Sequence, residues 1–116
     1  MSSAQLDLAA LEEIYGDDRE GIVELVDMVV GQAAGASVPL HRAVEARDAV
    51  ALREAAHGLK GAAANVGAVA VCEAARTLEL RARDVAWTDI DDLLCELDSA
   101  LARARAELGI YRTATA

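Results

Sequence analysis

Apolar residues in the last third of the chain recur at a regular spacing. The intervals alternate between four and three residues, and the positions are Ile90, Leu94, Leu97, Leu101, Ala104 and Leu108. This period puts the apolar side chains on one face of an α-helix, whereas a half-buried strand would alternate at every second residue. A helix with a single apolar face has to cover that face, so the pattern predicts a helix packed against other helices.

The composition extends this prediction to the rest of the chain. Hydrophobic residues make up 54% of the sequence, but much of that is alanine, there is no phenylalanine, and Pro39 is the only proline. No Asn-Gly or Asp-Gly pair joins two alternating segments, as a hairpin would require. We therefore predict an all-α fold, an antiparallel four-helix bundle with a short additional N-terminal helix. The 116 residues fit one such domain, residues 1–116.

Capping residues divide the chain into five predicted helices. They cover about residues 6–15, 18–47, 48–66, 68–84 and a last segment from Thr88, with a frayed tail over residues 111–116. The expected N-caps are aspartates and a threonine, namely Asp17 and Asp18, Asp48 and Thr88, and the expected terminators are Gly16 and Gly67. Gly31, Gly35 and Pro39 predict a kink or a break within the second helix.

The charge balance excludes several classes of partner. Twenty acidic residues against 11 basic ones give a formal charge of −9, which repels nucleic acids and anionic membranes. The first residues lack the basic start and apolar stretch of a signal peptide, and no uninterrupted apolar run reaches the roughly 20 residues that span a bilayer. Cys72 and Cys95 have no CxxC spacing, so we expect buried thiols rather than a disulfide. The sequence predicts a cytoplasmic protein.

The third helix presents a histidine on the side opposite its apolar stripe. On a helical wheel, the stripe consists of Leu52, Ala56, Leu59, Ala63 and Val66, and the opposite side holds Arg53, His57, Lys60, Gly61 and Ala64. A lone histidine in a helix is most often a filler of the core or the surface. Its neighbours therefore decide whether His57 has a chemical role.

Those neighbours suit a group that receives an anion from a large partner. Lys60, the only lysine in the chain, lies one turn after His57, where its ammonium can neutralise a phosphoryl group. Arg53, one turn earlier, adds positive potential, although exposed helical arginines are common. Gly61 costs the helix roughly 0.5–1 kcal/mol relative to alanine and leaves space beside the ring. Gly58 has a similar cost, for which the sequence offers no equally good reason.

The segment from Ala56 to Ala68 reads AHGLKGAAANVGA. It resembles the signature of histidine-containing phosphotransfer (HPt) domains, in which a histidine is followed one turn on by a lysine and a glycine. A second glycine then ends the helix, at the position of Gly67. The resemblance extends more loosely to residues 6–18 and 72–79, so it covers nearly the whole chain.

This resemblance implies a role for each residue of the motif. His57 would be the phosphoacceptor, through Nε2, exposed midway along one helix of a four-helix bundle. Lys60 would stabilise the phosphoryl group, Gly61 would give access to the ring, and Gly67 would shape the turn. Asn65 would form local hydrogen bonds at the end of the helix.

The function implied by the resemblance is phosphoryl shuttling in a two-component phosphorelay. The group would pass reversibly between His57 and an aspartate of response-regulator receiver domains, with a hybrid sensor histidine kinase as the other partner. Magnesium is expected on the receiver, so this chain would need no metal or cofactor. It has no GxxxxGK[ST] loop, so we expect no ATP site and no autonomous kinase activity. The activity implied by the resemblance is that of a phosphocarrier, of the phosphotransferase type. A monomer is expected.

Two alternative functions also fit a helical bundle. Glu54 and His57 have the Glu-x-x-His spacing of di-iron bundles, but such sites need a second motif, and Val38 stands three residues before the other histidine, His41. The stronger alternative is a module that binds signalling partners without carrying phosphate. The presence of both His57 and Lys60 favours the phosphotransfer interpretation, and we expect His41 to be structural or solvated.

A receiver needs an apolar surface near His57. Val23 and Val30 lie beside the core stripe of the second helix, so we expect them to contribute to a receiver-binding surface. Core contacts with the short first helix explain these two residues equally well. The two explanations differ in whether the side chains are exposed.

Overall fold

The first three helices begin where an aspartate accepts a hydrogen bond from a backbone amide that has no partner within the helix. The computed structural model describes residues 6–16, 18–65, 67–84 and 87–114. Within these, the capping bonds run from Ala10 to Asp7, from Gly21 to Asp18 and from Ala51 to Asp48. The helices are α1 (Leu8–Tyr15), α2 (Arg19–Glu45), α3 (Ala49–Asn65), α4 (Val69–Arg81) and α5 (Trp87–Ala114). No strand occurs in the described residues, and the predicted all-α class is confirmed.

Helices α2 to α5 form the predicted antiparallel bundle. Short turns connect them, and each packs on two neighbours: α2 and α4 both contact α3 and α5. Helices α3 and α5 therefore lie diagonally across the bundle, on opposite sides of its core. The short α1 packs against α2 and adds Leu11 to the core.

The core uses the stripes that the periodicity predicts. All six repeat positions of α5 are buried, from Ile90 to Leu108. On α3 the buried residues are Leu52, Ala56, Leu59 and Ala63, while the predicted Val66 lies outside the described residues. Because this stripe faces α2, α4 and the core, the opposite side of α3 faces out of the bundle.

Of the kink or break predicted within the second helix, the break is wrong. The helix runs as one element from Arg19 to Glu45 and includes Pro39. A proline inside a helix removes one hydrogen bond and costs roughly 3 kcal/mol. Burial of the α2 stripe against α3 and α5 offsets that local cost, because most helical stability in proteins comes from tertiary packing.

The last helix is longer than predicted at both ends. It begins at Trp87 rather than after a cap at Thr88, and it continues through Tyr111, where we expected a frayed tail. The Tyr111 hydroxyl donates a hydrogen bond of 2.9 Å to the Glu12 carboxylate, and this contact with α1 holds the final turns in place. The predicted cap Asp17 and residues 115–116 lie outside the described residues.

An arginine closes the corner between the α2–α3 turn and the start of α5. Arg47 has a φ of 54°, the left-handed conformation that side chains rarely adopt. Its guanidinium lies 5.3 Å from the centroid of the Trp87 ring and 3.5 Å from the Asp91 carboxylate. Trp87 thus links the start of α5 to the α2–α3 turn.

Two further expectations concern the membrane and the cysteines. Among the described residues one helix, α2, is long and apolar enough to cross a bilayer. A core helix passes the same test, and Ile22, Val26 and Leu40 of α2 are fully buried in the bundle, so this indication is weak.

Both cysteines are free thiols, but Cys95 is exposed, so its predicted burial is wrong.

Candidate functional site

The imidazole of His57 projects from the middle of α3 into solvent. Its side chain is 69% exposed, whereas Ala56, the preceding residue, is fully buried. The orientation follows from the helical period, because residues adjacent in sequence point about 100° apart. The predicted exposure of His57 is confirmed.

A carboxylate on the neighbouring helix binds both His57 and Lys60. His57 Nδ1 lies 2.8 Å from Oε2 of Glu79, and Lys60 Nζ donates a 2.8 Å hydrogen bond to Oε1 of the same side chain. Glu79 belongs to α4 and follows Leu78, a fully buried core residue that fixes its position. The sequence interpretation missed Glu79, which makes a triad with His57 and Lys60.

The carboxylate selects which ring nitrogen carries the proton. An ionised carboxylate only accepts hydrogen bonds, so Nδ1 of His57 must donate to it. In the neutral ring the lone pair then lies on Nε2, the nitrogen farther from the backbone. Within the part of the chain that the structure describes, this Nε2 has no hydrogen-bond partner. The site therefore presents an exposed, basic nitrogen.

The charge state of Glu79 fits this role. The hydrogen bond from Lys60 lowers the pKa of the Glu79 carboxyl below its ordinary value of 4.5, and the hydrogen bond from His57 lowers it further. Loss of solvent around the carboxyl opposes both effects without reversing them. Glu79 is therefore ionised near neutral pH and accepts both hydrogen bonds.

Two glycines leave the surface beside the ring open. A Cβ added to Gly58 or to Gly61 would meet no atom within 4 Å beyond its own helix backbone. Contacts within the bundle therefore do not require a glycine at either position, although each destabilises the helix. Both glycines leave the backbone at their own positions uncovered, as Gly31 and Gly35 do on α2, so this observation alone does not test the access predicted for Gly61.

Gly67 and Asn65 differ in how well they match their implied roles. Gly67 has a φ of 65°, and an added Cβ would lie 3.1 Å from the Cβ of Asp7, whose amide donates a 2.7 Å hydrogen bond to the Gly67 carbonyl. The predicted left-handed terminator is confirmed. Asn65 is exposed at the end of α3 and makes no side-chain hydrogen bond to any described residue, so its expected local hydrogen bonds are not observed.

The predicted receiver-binding role of Val23 and Val30 is wrong. Their exposed fractions are only 9% and 3%, and both belong to the core cluster. The explanation by core contacts therefore holds, because both side chains face the interior of the bundle. The surface around His57 is formed by other residues.

Neither of the remaining chemical candidates forms a comparable site. Among the described residues no group of three or more His, Cys, Asp or Glu side chains is arranged to hold a metal ion. The second histidine, His41, is about half exposed, and its Nε2 lies 2.9 Å from Oδ2 of Asp98 on α5. It is both solvated and paired with a carboxylate.

Comparison with known proteins identifies the family. The sequence matches the family model of the Hpt domain over residues 2–107, and the chain therefore belongs to this family. Its structure is similar to the crystal structure of histidine-containing phosphotransfer protein B (HptB) from Pseudomonas aeruginosa PAO1, with a TM-score of 0.82, 30% sequence identity and 97% of each chain covered. No curated protein sequence matches the chain.

Family membership and this structural likeness establish the general function. The chain functions in histidine phosphotransfer in phosphorelays. Hpt proteins in such relays interact with kinases and response regulators. This outcome favours the phosphotransfer interpretation over a bundle that binds partners without carrying phosphate.

Proposed function

We propose that His57 carries the phosphoryl group on Nε2 and exchanges it with an aspartate of a response-regulator receiver domain. The hydrogen bond between Nδ1 and Glu79 supports this assignment most strongly, because it leaves Nε2 as the basic nitrogen of the neutral ring. The same nitrogen points away from the bundle on a side chain that is 69% exposed. His41 lacks this arrangement, since its Nε2 is already bonded to Asp98.

Phosphoryl transfer from the receiver to His57 requires no proton transfer. The Nε2 lone pair attacks the phosphorus of the receiver's acyl phosphate, the Nε2–P bond forms, and the P–O bond to the aspartate breaks. The aspartate leaves as a carboxylate with the bonding electron pair. The ring keeps its Nδ1 proton and so acquires a positive charge, which the ionised Glu79 neutralises at 2.8 Å. Transfer back to a receiver is the reverse of this step.

Glu79 thus acts through the ring rather than on the phosphoryl group. A carboxylate that holds an imidazole by one nitrogen fixes the tautomer and stabilises the cation formed when the other nitrogen reacts. Lys60 in turn holds Glu79 from the opposite oxygen, at 2.8 Å. Lys60, His57 and Glu79 therefore form a chain of charge-assisted hydrogen bonds that prepares Nε2 before a partner arrives.

Access by a folded partner accounts for the surface of α3. Phosphoryl transfer depends on in-line positioning of two groups, so the receiver's aspartate must come within bonding distance of Nε2. Gly58 and Gly61 leave room for that approach, since no side chain covers the backbone at either position. We assign the magnesium ion of the reaction to the receiver, and this chain then needs no cofactor of its own.

The specific partners and location follow as part of the same proposal. A hybrid sensor histidine kinase would supply the phosphoryl group to one receiver, and this chain would pass it to another. The excess of acidic residues, 20 against 11 basic, suits a cytoplasmic protein that does not bind nucleic acid or anionic lipid. We further propose that the chain acts as a monomer and as a single domain.

The test is transfer from phosphorylated receiver domains. Acid-labile phosphate would be followed on the wild type, on His57→Gln and on the matched variant His41→Gln, across a panel of receivers. We expect label on the wild type and on His41→Gln, and none on His57→Gln. Label on His57→Gln would move the carrier elsewhere, and no label on any protein across the panel would restore the interpretation as a binding module.

A further inference from the structure

The positive charge nearest to His57 in the motif is already engaged. Lys60 is only 31% exposed, and its ammonium is bound to Glu79 Oε1. Glu79 in turn faces Nδ1, whereas the phosphoryl group would be attached at Nε2. The ammonium has further donors, but its bond to Glu79 holds it on the Nδ1 side of the ring, away from the nitrogen that would carry the phosphoryl group.

A second cation on α3, the guanidinium of Arg53, is available to bind a ligand. Arg53 is exposed, and it makes no hydrogen bond or ion pair with any described residue. It stands four residues before His57, on the same face of the helix. Side chains on a helix lean toward its N-terminus, so the His57 ring lies over the turn that carries Arg53.

We propose that Arg53 is the cation that binds the phosphoryl group on Nε2 of His57, while Lys60 positions the ring through Glu79. This inference rests on the proposed role of His57 as carrier. A guanidinium can donate two parallel hydrogen bonds to a pair of phosphate oxygens, and here it breaks no existing pair to do so. Glu54, the exposed carboxylate on the other flank of His57, repels the same dianion, which increases the need for a cation beside it.

The probe is phosphoramidate, a small donor that allows the chain to be labelled without a receiver. The Nε2 lone pair displaces the nitrogen of the donor: the Nε2–P bond forms, the P–N bond breaks, and the leaving nitrogen takes a proton from water to give ammonia. The pH titration of the ³¹P resonance then gives one apparent pKa for the phosphorylated side chain, set by the phosphoryl group together with the ring proton on Nδ1. A cation in contact with that group lowers this pKa.

The comparison uses four substitutions. Arg53→Gln should raise the midpoint of the ³¹P titration by about 0.2–0.7 pH unit, the range for an exposed ion pair. Arg53→Lys should keep most of the wild-type midpoint, because it keeps the charge. Arg105→Gln removes the same charge from α5, diagonally opposite α3, and should leave the midpoint unchanged. Lys60→Gln should instead change the ¹⁵N chemical shifts of the His57 ring in the unphosphorylated protein, because these shifts report the tautomer.

Each outcome bears on one claim. Equal midpoints for Arg53→Gln and Arg105→Gln, or a larger shift for Lys60→Gln than for Arg53→Gln, would overturn the role of Arg53 and leave His57 as the carrier. Label that persists on His57→Gln would instead refute the proposed function, on which the inference depends. Circular dichroism of each variant checks that the bundle is intact.

Discussion

Both histidines of this chain are exposed and paired with a carboxylate, but they present different ring nitrogens to solvent. Each lies within 2.9 Å of a carboxylate on a neighbouring helix, and the side chain of each is about half exposed or more. Glu79 holds His57 by Nδ1 and leaves the outer nitrogen free, whereas Asp98 holds His41 by Nε2, the outer nitrogen itself. In the proposed mechanism, the ring nitrogen that the carboxylate binds therefore decides which histidine can accept a phosphoryl group from a partner.

The surroundings differ in charge and access as well. The carboxylate beside His57 is shared with Lys60, and open glycines flank the ring. The carboxylate beside His41 has no cation bound to it among the described residues, and the motif surrounding His57 is not repeated there. A histidine–carboxylate pair by itself is thus a poor sign of function, and its orientation and neighbours carry the information.

The largest effect expected in this comparison comes from removing each carboxylate. Glu79→Ala should slow labelling of His57 by phosphoramidate on the order of ten- to a hundredfold, because the tautomer is no longer fixed and the ring cation is no longer neutralised. Asp98→Ala should leave the rate unchanged. Initial rates measured by ³¹P NMR on both variants check this, and similar rates for the two would refute the positioning role of Glu79.

A smaller effect is expected from closing the space beside the ring. Gly61→Leu should lower the rate of transfer from a receiver about tenfold, because the new side chain obstructs the approach of a folded partner. The matched control is Gly35→Leu on α2, where an added Cβ also meets nothing within 4 Å. Both variants should unfold at a slightly higher temperature, because replacing glycine adds roughly 0.5–1 kcal/mol of helix propensity. Transfer that is equally fast in both would show that Gly61 is not needed for access.

The smallest effect concerns acid stability. Because the pKa of Glu79 is lowered in the fold, its bonds to Lys60 and His57 stabilise the protein above the ordinary value of 4.5 and are lost as the pH falls through the lowered pKa. Glu79→Gln should therefore show a weaker fall in Tm than the wild type between pH 6 and pH 3. Glu54→Gln, which removes the same charge from the exposed face of α3, serves as the control. A profile for Glu79→Gln that matches the wild type would contradict the linkage.

The sequence predicted most of the fold because helical periodicity and capping act locally. The buried stripe of α5 and the caps Asp18 and Asp48 are set by residues within one or two turns of each other. The errors came where distant contacts override local signals. Pro39 stays inside a helix because α3 and α5 pack on α2, and Tyr111 stays helical because Glu12 binds it.

The same distinction explains what was found and missed at the site. His57, Lys60 and Gly61 lie within two turns of one helix, so their mutual placement could be predicted from spacing alone. Glu79 is on α4, and its contact depends on how α4 is rotated and shifted against α3. The two helices fold back at Gly67, and His57 and Glu79 stand ten residues before and twelve after it. These similar distances from the turn were the signal in the sequence that could have identified Glu79 as a neighbour of His57.

The contact between Glu12 and Tyr111 has a consequence for the order of folding. These residues are 99 positions apart, and the bond from the Leu6 amide to Glu107 spans 101. Such contacts close the largest loops in the chain and carry the greatest loop-closure entropy, so α1 should dock after the four longer helices have assembled. The same contacts bring the two ends of the described chain together. A circular permutant that joins those ends by a flexible linker and opens the α4–α5 connection should therefore keep the bundle.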